Sequence, residues 1–262
     1  MRRLSGFTLT ALTFGFAFLY IPILLLILYS FNESRLVTVW GGFSLKWYGE
    51  LLRNESYLRA AWVTLRVGLV TATLATFIAL FAAITLVRRR RFFGRTLFTG
   101  MIYTPLVMPE VMMGLSLALL FVSLGVDRGM VTIILAHTTF ATAFASVVIS
   151  SRLVDVDPSL EEAAMDLGCS PTLAFIKVLL PVIAPAVAAA WLLAFTLSLD
   201  DLVIATFVAG PSATTLPMKV FSQVRLGVTP EVNALSTLLI ALVSVSVMTL
   251  ALVHKRVARP MA

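Results

Sequence analysis

Asp157-Pro158-Ser159-Leu160-Glu161-Glu162-Ala163-Ala164-Met165-Asp166-Leu167-Gly168-Cys169-Ser170-Pro171 lies between two long apolar stretches of a 262-residue chain. The chain around it is 60% hydrophobic, with a mean hydropathy of +1.00. Asp157 reads as a helix cap, Pro158 as the first helical residue, and Gly168 as a left-handed terminus. Ser170-Pro171 repeats the cap-and-proline signal for a second short helix, expected to end at Pro181. On the first helix Ala163, Ala164 and Leu167 form a shallow apolar face beside Glu161, Glu162 and Asp166. A bare amphipathic loop needs no such capping, so the element reads as a docking surface shown to a soluble partner.

Working outward, six segments are long and apolar enough to cross a bilayer: Phe7–Phe31, Val67–Val87, Leu97–Leu124, Met130–Ser150, Val182–Phe207 and Ala234–Val253. A span needs roughly 20 residues, and backbone groups deprived of water force it to be helical. The expectation is an all-α integral membrane protein forming one transmembrane domain over 1–262. Arg2 and Arg3 precede the first segment, but its 25 apolar residues exceed a signal-peptide core and no Ala-x-Ala site follows.

Basic residues set the orientation. With the N-terminus inside, the inner segments hold Arg2, Arg3, Arg88 to Arg91, Arg95, Arg152, Lys177, Lys255, Arg256 and Arg259, twelve of the 20 Lys and Arg. That places both ends in the cytoplasm. It also accounts for the net charge of +7 without nucleic acid, since inner arginines lie against anionic headgroups. The lone Cys169 excludes an intrachain disulfide. No G-x-x-x-x-G-K-[ST] string is present, and no metal-ligand cluster; His137 and His254 fall in different compartments. An intramembrane enzyme is therefore disfavoured. A self-sufficient secondary carrier is the alternative transport class, although the two halves show no convincing repeat.

The outer connection, 32–66, carries Trp47, Tyr48, Leu51, Leu52 and Leu58 at helical spacing. That pattern fits a helix in the membrane interface or one packed on its own bundle. Pro105 and Pro109 interrupt the third segment.

Few acidic residues lie within the spans, and each costs at least about 2.5–3.5 kcal/mol at a helix centre unless it faces a cavity or partner. They are Glu110, Asp200 and Asp201. Glu110 stands roughly 20 Å and Asp201 roughly 28 Å from the inner ends of their spans at 1.5 Å per residue. His137 falls at similar outer depth. Ala190, Ala194, Ser198 and Asp201 share one helical stripe, which puts Asp201 nearer a passage than Asp200. The alternatives stay open: Glu110 as the start of a restarted half-helix, the aspartates as a structural hydrogen-bond network, His137 as a neutral packing residue.

Glu162-Ala163-Ala164, Gly168, Val178 and Leu180-Pro181 resemble the Glu-Ala-Ala loop of bacterial ATP-binding-cassette importer permeases, with valine where isoleucine is usual at 178. Ser30-Phe31-Asn32, Trp47-Tyr48, Thr104 to Glu110, Leu193 to Leu202 and Ala213 to Pro217 extend the resemblance to polyamine importers, most closely to the second permease subunits of putrescine systems. The resemblance implies a type I importer permease fold with a cytoplasmic coupling loop at 152–181, in the bacterial inner membrane. It implies a homologous second permease subunit, two copies of a cytoplasmic ATPase carrying the ATP and Mg, and a periplasmic polyamine-binding protein. This chain would then be no enzyme and hold no cofactor of its own. Glu162, Ala163 and Gly168 carry over as coupling positions, with Glu161, Ala164 and Asp166 beside them. For a polyamine, the carboxylates of Glu110, Asp200 and Asp201 and the rings of Trp191, Phe195 and Tyr103 offer Coulomb and cation–π contacts of roughly 0.5–2 kcal/mol each.

Overall fold

The computed structural model describes residues 6–36, 39–89, 91–227 and 229–257. Arg2, Arg3, Arg90 and Arg259, which bear on orientation, lie outside the described residues. The described backbone is helical almost throughout: α1 (Gly6–Ser30), α2 (Lys46–Arg53), α3 (Glu55–Arg88), α4 (Arg95–Val107), α5 (Glu110–Ser123), α6 (Met130–Val154), α7 (Ser159–Asp166), α8 (Pro171–Ala174), α9 (Leu180–Asp200), α10 (Val203–Val208), α11 (Leu216–Leu226) and α12 (Pro230–Val257). A π-helical turn, Phe175–Leu179, joins α8 to α9.

Four helical stretches among the described residues are long and apolar enough to span a bilayer: Gly6–Ser30, Glu55–Arg88, Met130–Val154 and Pro171–Asp200. A fifth arises if α4 and α5 count as one broken span. The predicted sixth segment lies inside the 28-residue α12.

The chain divides into two compact units, Met1–Leu58 with Val220–Ala262, and Arg59–Lys219. In the first, α1 packs along α12 and α12 against α2. The loop after α1 is wound around Asn32. Its side-chain amide donates to the Val39 carbonyl (2.8 Å), and its Oδ1 accepts from the Gly41 and Ser34 amides (2.7 and 3.2 Å). The Asn32 carbonyl accepts from Trp47 Nε1 at 2.7 Å, and the indole is fully buried. Trp47 and Leu51 thus pack inward, resolving the choice between interface and bundle toward the bundle, while Leu52 stays exposed.

The second unit is organised on α6. Ala136, Ala141, Ala143 and Ala145 are buried, as are Ala72, Ala75, Ala79 and Ala83 of α3 and Ala190 and Ala194 of α9. Small residues let helix backbones approach closely where lipid supplies no hydrophobic drive between helices. Larger side chains close the ends: Val63, Val67, Met113, Phe121, Ile133, Ile204 and Val208 at one, Leu80, Ile149, Leu153, Leu179 and Ile183 at the other.

Two expected spans are not continuous. The segment Leu97–Leu124 is bent by 119° between α4 and α5. Met108 precedes a proline, which disfavours the helical region, and it is extended with ψ 134°, as is Pro109. The segment Val182–Phe207 breaks at Asp201, whose ψ is 121°. Conversely, Pro181 does not end a short second helix. It sits in the first turn of α9, and the helix runs through from Pro171 to Asp200. The π turn, where the Leu180 amide reaches back to the Phe175 carbonyl, takes up the register just before the proline that lacks an amide.

A candidate coupling elbow and a buried polar cluster

The elbow forms as its capping residues dictate. The Ser159 amide donates to Asp157 Oδ1 at 2.9 Å, and the same hydrogen bond holds the exposed Asp157 carboxyl below its ordinary range, with Arg88 adding a smaller pull. At the other end Gly168 adopts φ +93°. Its amide bonds the Met165 carbonyl (2.9 Å), and the Cys169 amide bonds the Ala164 carbonyl (3.0 Å). That double closure satisfies carbonyls a helix end leaves orphaned and needs the left-handed residue between them. Ser170 Oγ then accepts from the Leu173 amide at 3.3 Å and starts α8 with Pro171.

The apolar face expected on α7 is split by the fold. Ala164 is buried against the chain's own bundle, whereas Ala163 and Leu167 are exposed. Glu161, three residues before Ala164, shares the inward side: its Oε1 lies 2.8 Å from Arg88 Nη2 at the end of α3. Arg88 Nη1 also donates to the Val156 carbonyl at 3.1 Å. Glu162, Ala163, Asp166, Leu167 and Gly168 are left on the open side. Of the six candidate coupling residues, two therefore hold α7 in place and four face away.

A second polar group is hidden in the same unit. His137 on α6 is buried, its Nδ1 2.8 Å from Ser198 Oγ and its Nε2 3.2 Å from Asp201 Oδ1. The Nε2 contact is close but not aligned as a hydrogen bond. The same Asp201 oxygen accepts from the Ala205 amide at 2.8 Å, capping α10. The stripe Ala190, Ala194, Ser198 and Asp201 is buried as its spacing implies, but Asp201 ends α9 rather than riding within it. Asp200 points the other way and is exposed.

The remaining candidates are distributed. Trp191 stacks on Phe195 (5.3 Å between centroids, 11° between planes) and its Nε1 donates to Thr73 Oγ1 of α3 at 3.2 Å. Phe195 closes on Gly68, where an added Cβ would stand 3.1 Å from its ring. Tyr103 is half-buried on α4, and Glu110 is exposed at the first position of α5. Among the described residues neither Tyr103 nor Glu110 shares a hydrogen bond or ion pair with the His137 cluster. Sequence reasoning missed Arg88 as the partner of Glu161, because the two are far apart in the chain and nothing local pairs them. It also missed Ser198 as the partner of His137, although a buried imidazole opposite a serine stripe was a usable signal.

An all-helical bundle of apolar spans with a capped polar elbow defines an integral membrane component. The chain belongs to the family of binding-protein-dependent transport system inner membrane components, whose model matches residues 75–261. It is thereby a multi-pass inner-membrane protein. It is 56% identical over 247 residues to the putrescine transport system permease protein PotI of Escherichia coli (strain K12), covering 92% of this chain and 88% of that one. With the spermidine/putrescine transport system permease protein PotC of the same strain it shares 44% over 254 residues, covering 97% and 95%. These relatives are transport permeases, not enzymes. In fold it matches a bacterial ABC transporter involved in the import of the acidic polysaccharide alginate, with a TM-score of 0.72 at 16% identity over 96% of this chain and 94% of that one. A bacterial alginate ABC transporter in complex with an alginate pentasaccharide-bound periplasmic protein gives 0.67 at 16%, over 93% and 90%.

Proposed function

We propose that this chain is a permease subunit of an ATP-driven importer that carries polyamines, putrescine or spermidine or both, from periplasm to cytoplasm. The observation that carries the reading is 56% identity to a putrescine permease over 92% of the chain. In this reading six spans leave both termini in the cytoplasm, and 152–181 forms the coupling loop. A second, homologous permease subunit completes the pathway, two ATPase copies hold ATP and Mg, and a periplasmic protein delivers the polyamine.

The geometry supports a division of labour. The open side of α7, with Glu162, Ala163, Asp166 and Gly168, suits a groove on the ATPase, because small and acidic groups permit close approach while Glu161 and Ala164 anchor the helix. Closure of the ATPases then displaces α7, which leads through the Gly168 turn into α8, and α8 is continuous, through the π turn, with the span that ends at Asp200. Along the pathway, exposed carboxylates at Glu110 and Asp200 attract ammonium groups, and aromatic faces at Tyr103, Trp191 and Phe195 guide methylenes and cations. Such contacts are weak enough singly to release the cargo. Asp201 contributes by holding the helix break open.

The test is reconstitution of the whole transporter in proteoliposomes with ATP inside. Glu162→Arg and Gly168→Val are expected to cut ATP-driven putrescine uptake and substrate-stimulated hydrolysis while membrane insertion persists. Glu110→Gln and Asp200→Asn are expected to raise the apparent KM for the amine. Wild-type behaviour of both elbow variants would overturn the coupling assignment, and failure of the intact assembly to import either amine would overturn the substrate class.

A further inference from the structure

We infer that Arg88 is a positioning residue for the coupling step: it ties the end of span α3 to the elbow, so that displacement of α7 is delivered to α3 as well as to α9. The inference rests on the coupling role proposed above.

The argument starts at the α3 terminus. A helix end leaves carbonyls unbonded and frays, which would make it a poor receiver of force. Here Arg95, seven residues past the end, donates from Nη2 to the Leu86 carbonyl (3.1 Å) and from Nη1 to the Arg89 carbonyl (2.9 Å). The last turn is therefore held. Arg88 sits in that turn and reaches outward with two groups. Nη1 donates to the Val156 carbonyl in the turn between α6 and α7. Nη2 stands 2.8 Å from Glu161 Oε1 in the first turn of α7, an ion-pair contact close in distance but not aligned as a hydrogen bond.

The setting makes this tie more than a surface pair. The two side chains retain only 19% and 23% of their exposure, so the ion pair is less screened than one in open water. Beside it lies a cavity of about 660 Å³ lined by Leu86, Val87, Arg88, Arg95, Val156 and Pro158. Val156 of the α6–α7 turn is already packed in one apolar cluster with Leu80 and Ala83 of α3, so the guanidinium adds a charged, directional link at the rim of that packing. Glu161 is also the neighbour of Glu162, which faces the open side. A push on the open face is transferred one residue away to a charge that already grips another span.

The experiment uses the reconstituted transporter and reads the ratio of putrescine imported to ATP hydrolysed, with complex assembly followed by size-exclusion chromatography. Arg88→Glu is expected to lower that ratio about tenfold, the size of a typical coupling free energy between sites. The exchanged pair Arg88→Glu with Glu161→Arg is expected to recover it to within about threefold of wild type, the signature of a direct pairwise term. An unchanged ratio in Arg88→Glu, or an exchanged pair no better than the single variants, overturns the inference. Should Arg88→Glu fail to assemble, Glu161→Gln replaces it, with the same two readings. A second measurement is independent of transport. Spin labels at Arg91→Cys and Ser159→Cys in a Cys169→Ser background should show a broader distance distribution when Glu161→Gln is added; an unchanged distribution sinks the tie. If the wild-type assembly imports no polyamine while that distribution still broadens, the proposed function fails and the tie stands.

Discussion

Replacing Gly168 isolates the backbone contribution to the elbow. An ideal Cβ at this position meets no atom within 4 Å, so no steric term enters. What remains is the dihedral: φ +93° is a region L side chains rarely adopt. Placing a Cβ there costs about 1–2 kcal/mol for alanine, more for a β-branched residue, and less for asparagine, which tolerates the left-handed region. At 1.4 kcal/mol per factor of ten, Gly168→Ala shifts the local closed-to-open ratio of the elbow by roughly 5- to 30-fold. Amide hydrogen exchange of a peptide covering Leu160 to Ser170, followed by mass spectrometry in nanodiscs, reads that ratio directly. Protection of the Gly168 and Cys169 amides should fall in the order Gly, Asn, Ala, Val, and ATP-coupled uptake should follow the same order. The reasoning is refuted if alanine is as protected as glycine, or if asparagine is worse than alanine, since either result would mean that something other than the dihedral closes this helix.

Trp47→Phe keeps an aromatic ring but leaves part of the indole's buried volume empty and the Asn32 carbonyl without its donor; a loss of at least about 1–3 kcal/mol is expected as a lower thermal midpoint in detergent, and an unchanged midpoint would show that neither the bond nor the packing matters there. His137→Ala empties a buried ring site and leaves the Ser198 hydroxyl without its partner, while Asp201 Oδ1 keeps the Ala205 amide; it should destabilise by about 2–4 kcal/mol, against about 1 for Ser198→Ala, and the reverse order in thermal unfolding would remove the imidazole from the centre of the cluster. Asp157 titrates below its ordinary 3.8 in the folded protein, so the stabilisation it lends the elbow is present above that value and is lost as pH falls through the lower folded one. Exchange of the Ser159 and Leu160 amides, corrected for intrinsic rate, should therefore rise as the pH is lowered past this range in wild type but not in Asp157→Asn, and equal slopes in the two proteins would exclude the carboxylate as the cap.

Much of this molecule is written locally. The apolar segments, the caps of the elbow at Asp157, Gly168 and Ser170, and the small-residue stripe of α9 were all legible because each depends on residues within one or two helical turns. Of the two prolines expected to interrupt the third segment only Pro109 does so, while Pro105 lies within α4; the 119° bend at Pro109 was not legible, because its magnitude is not a property of the proline alone. The break at Asp201 was not legible. No proline or glycine marks it, and the feature found there is the Asp201 side chain turned back to accept from the Ala205 amide, with His137 Nε2 3.2 Å from the same oxygen.

The same contrast governs the candidate site. Hydropathy and charge alone settle that the chain enters a membrane as helices and keeps one capped polar element between them, because transfer to lipid and local hydrogen-bond closure are properties of short segments. Which side of that element is free is another matter. Glu161 and Glu162 are adjacent and chemically identical, yet one is gripped by Arg88 and the other is open, and Asp200 and Asp201 divide in the same way. Such choices are made by a partner far along the chain, and only the packing of α3, α6 and α9 brings that partner within reach.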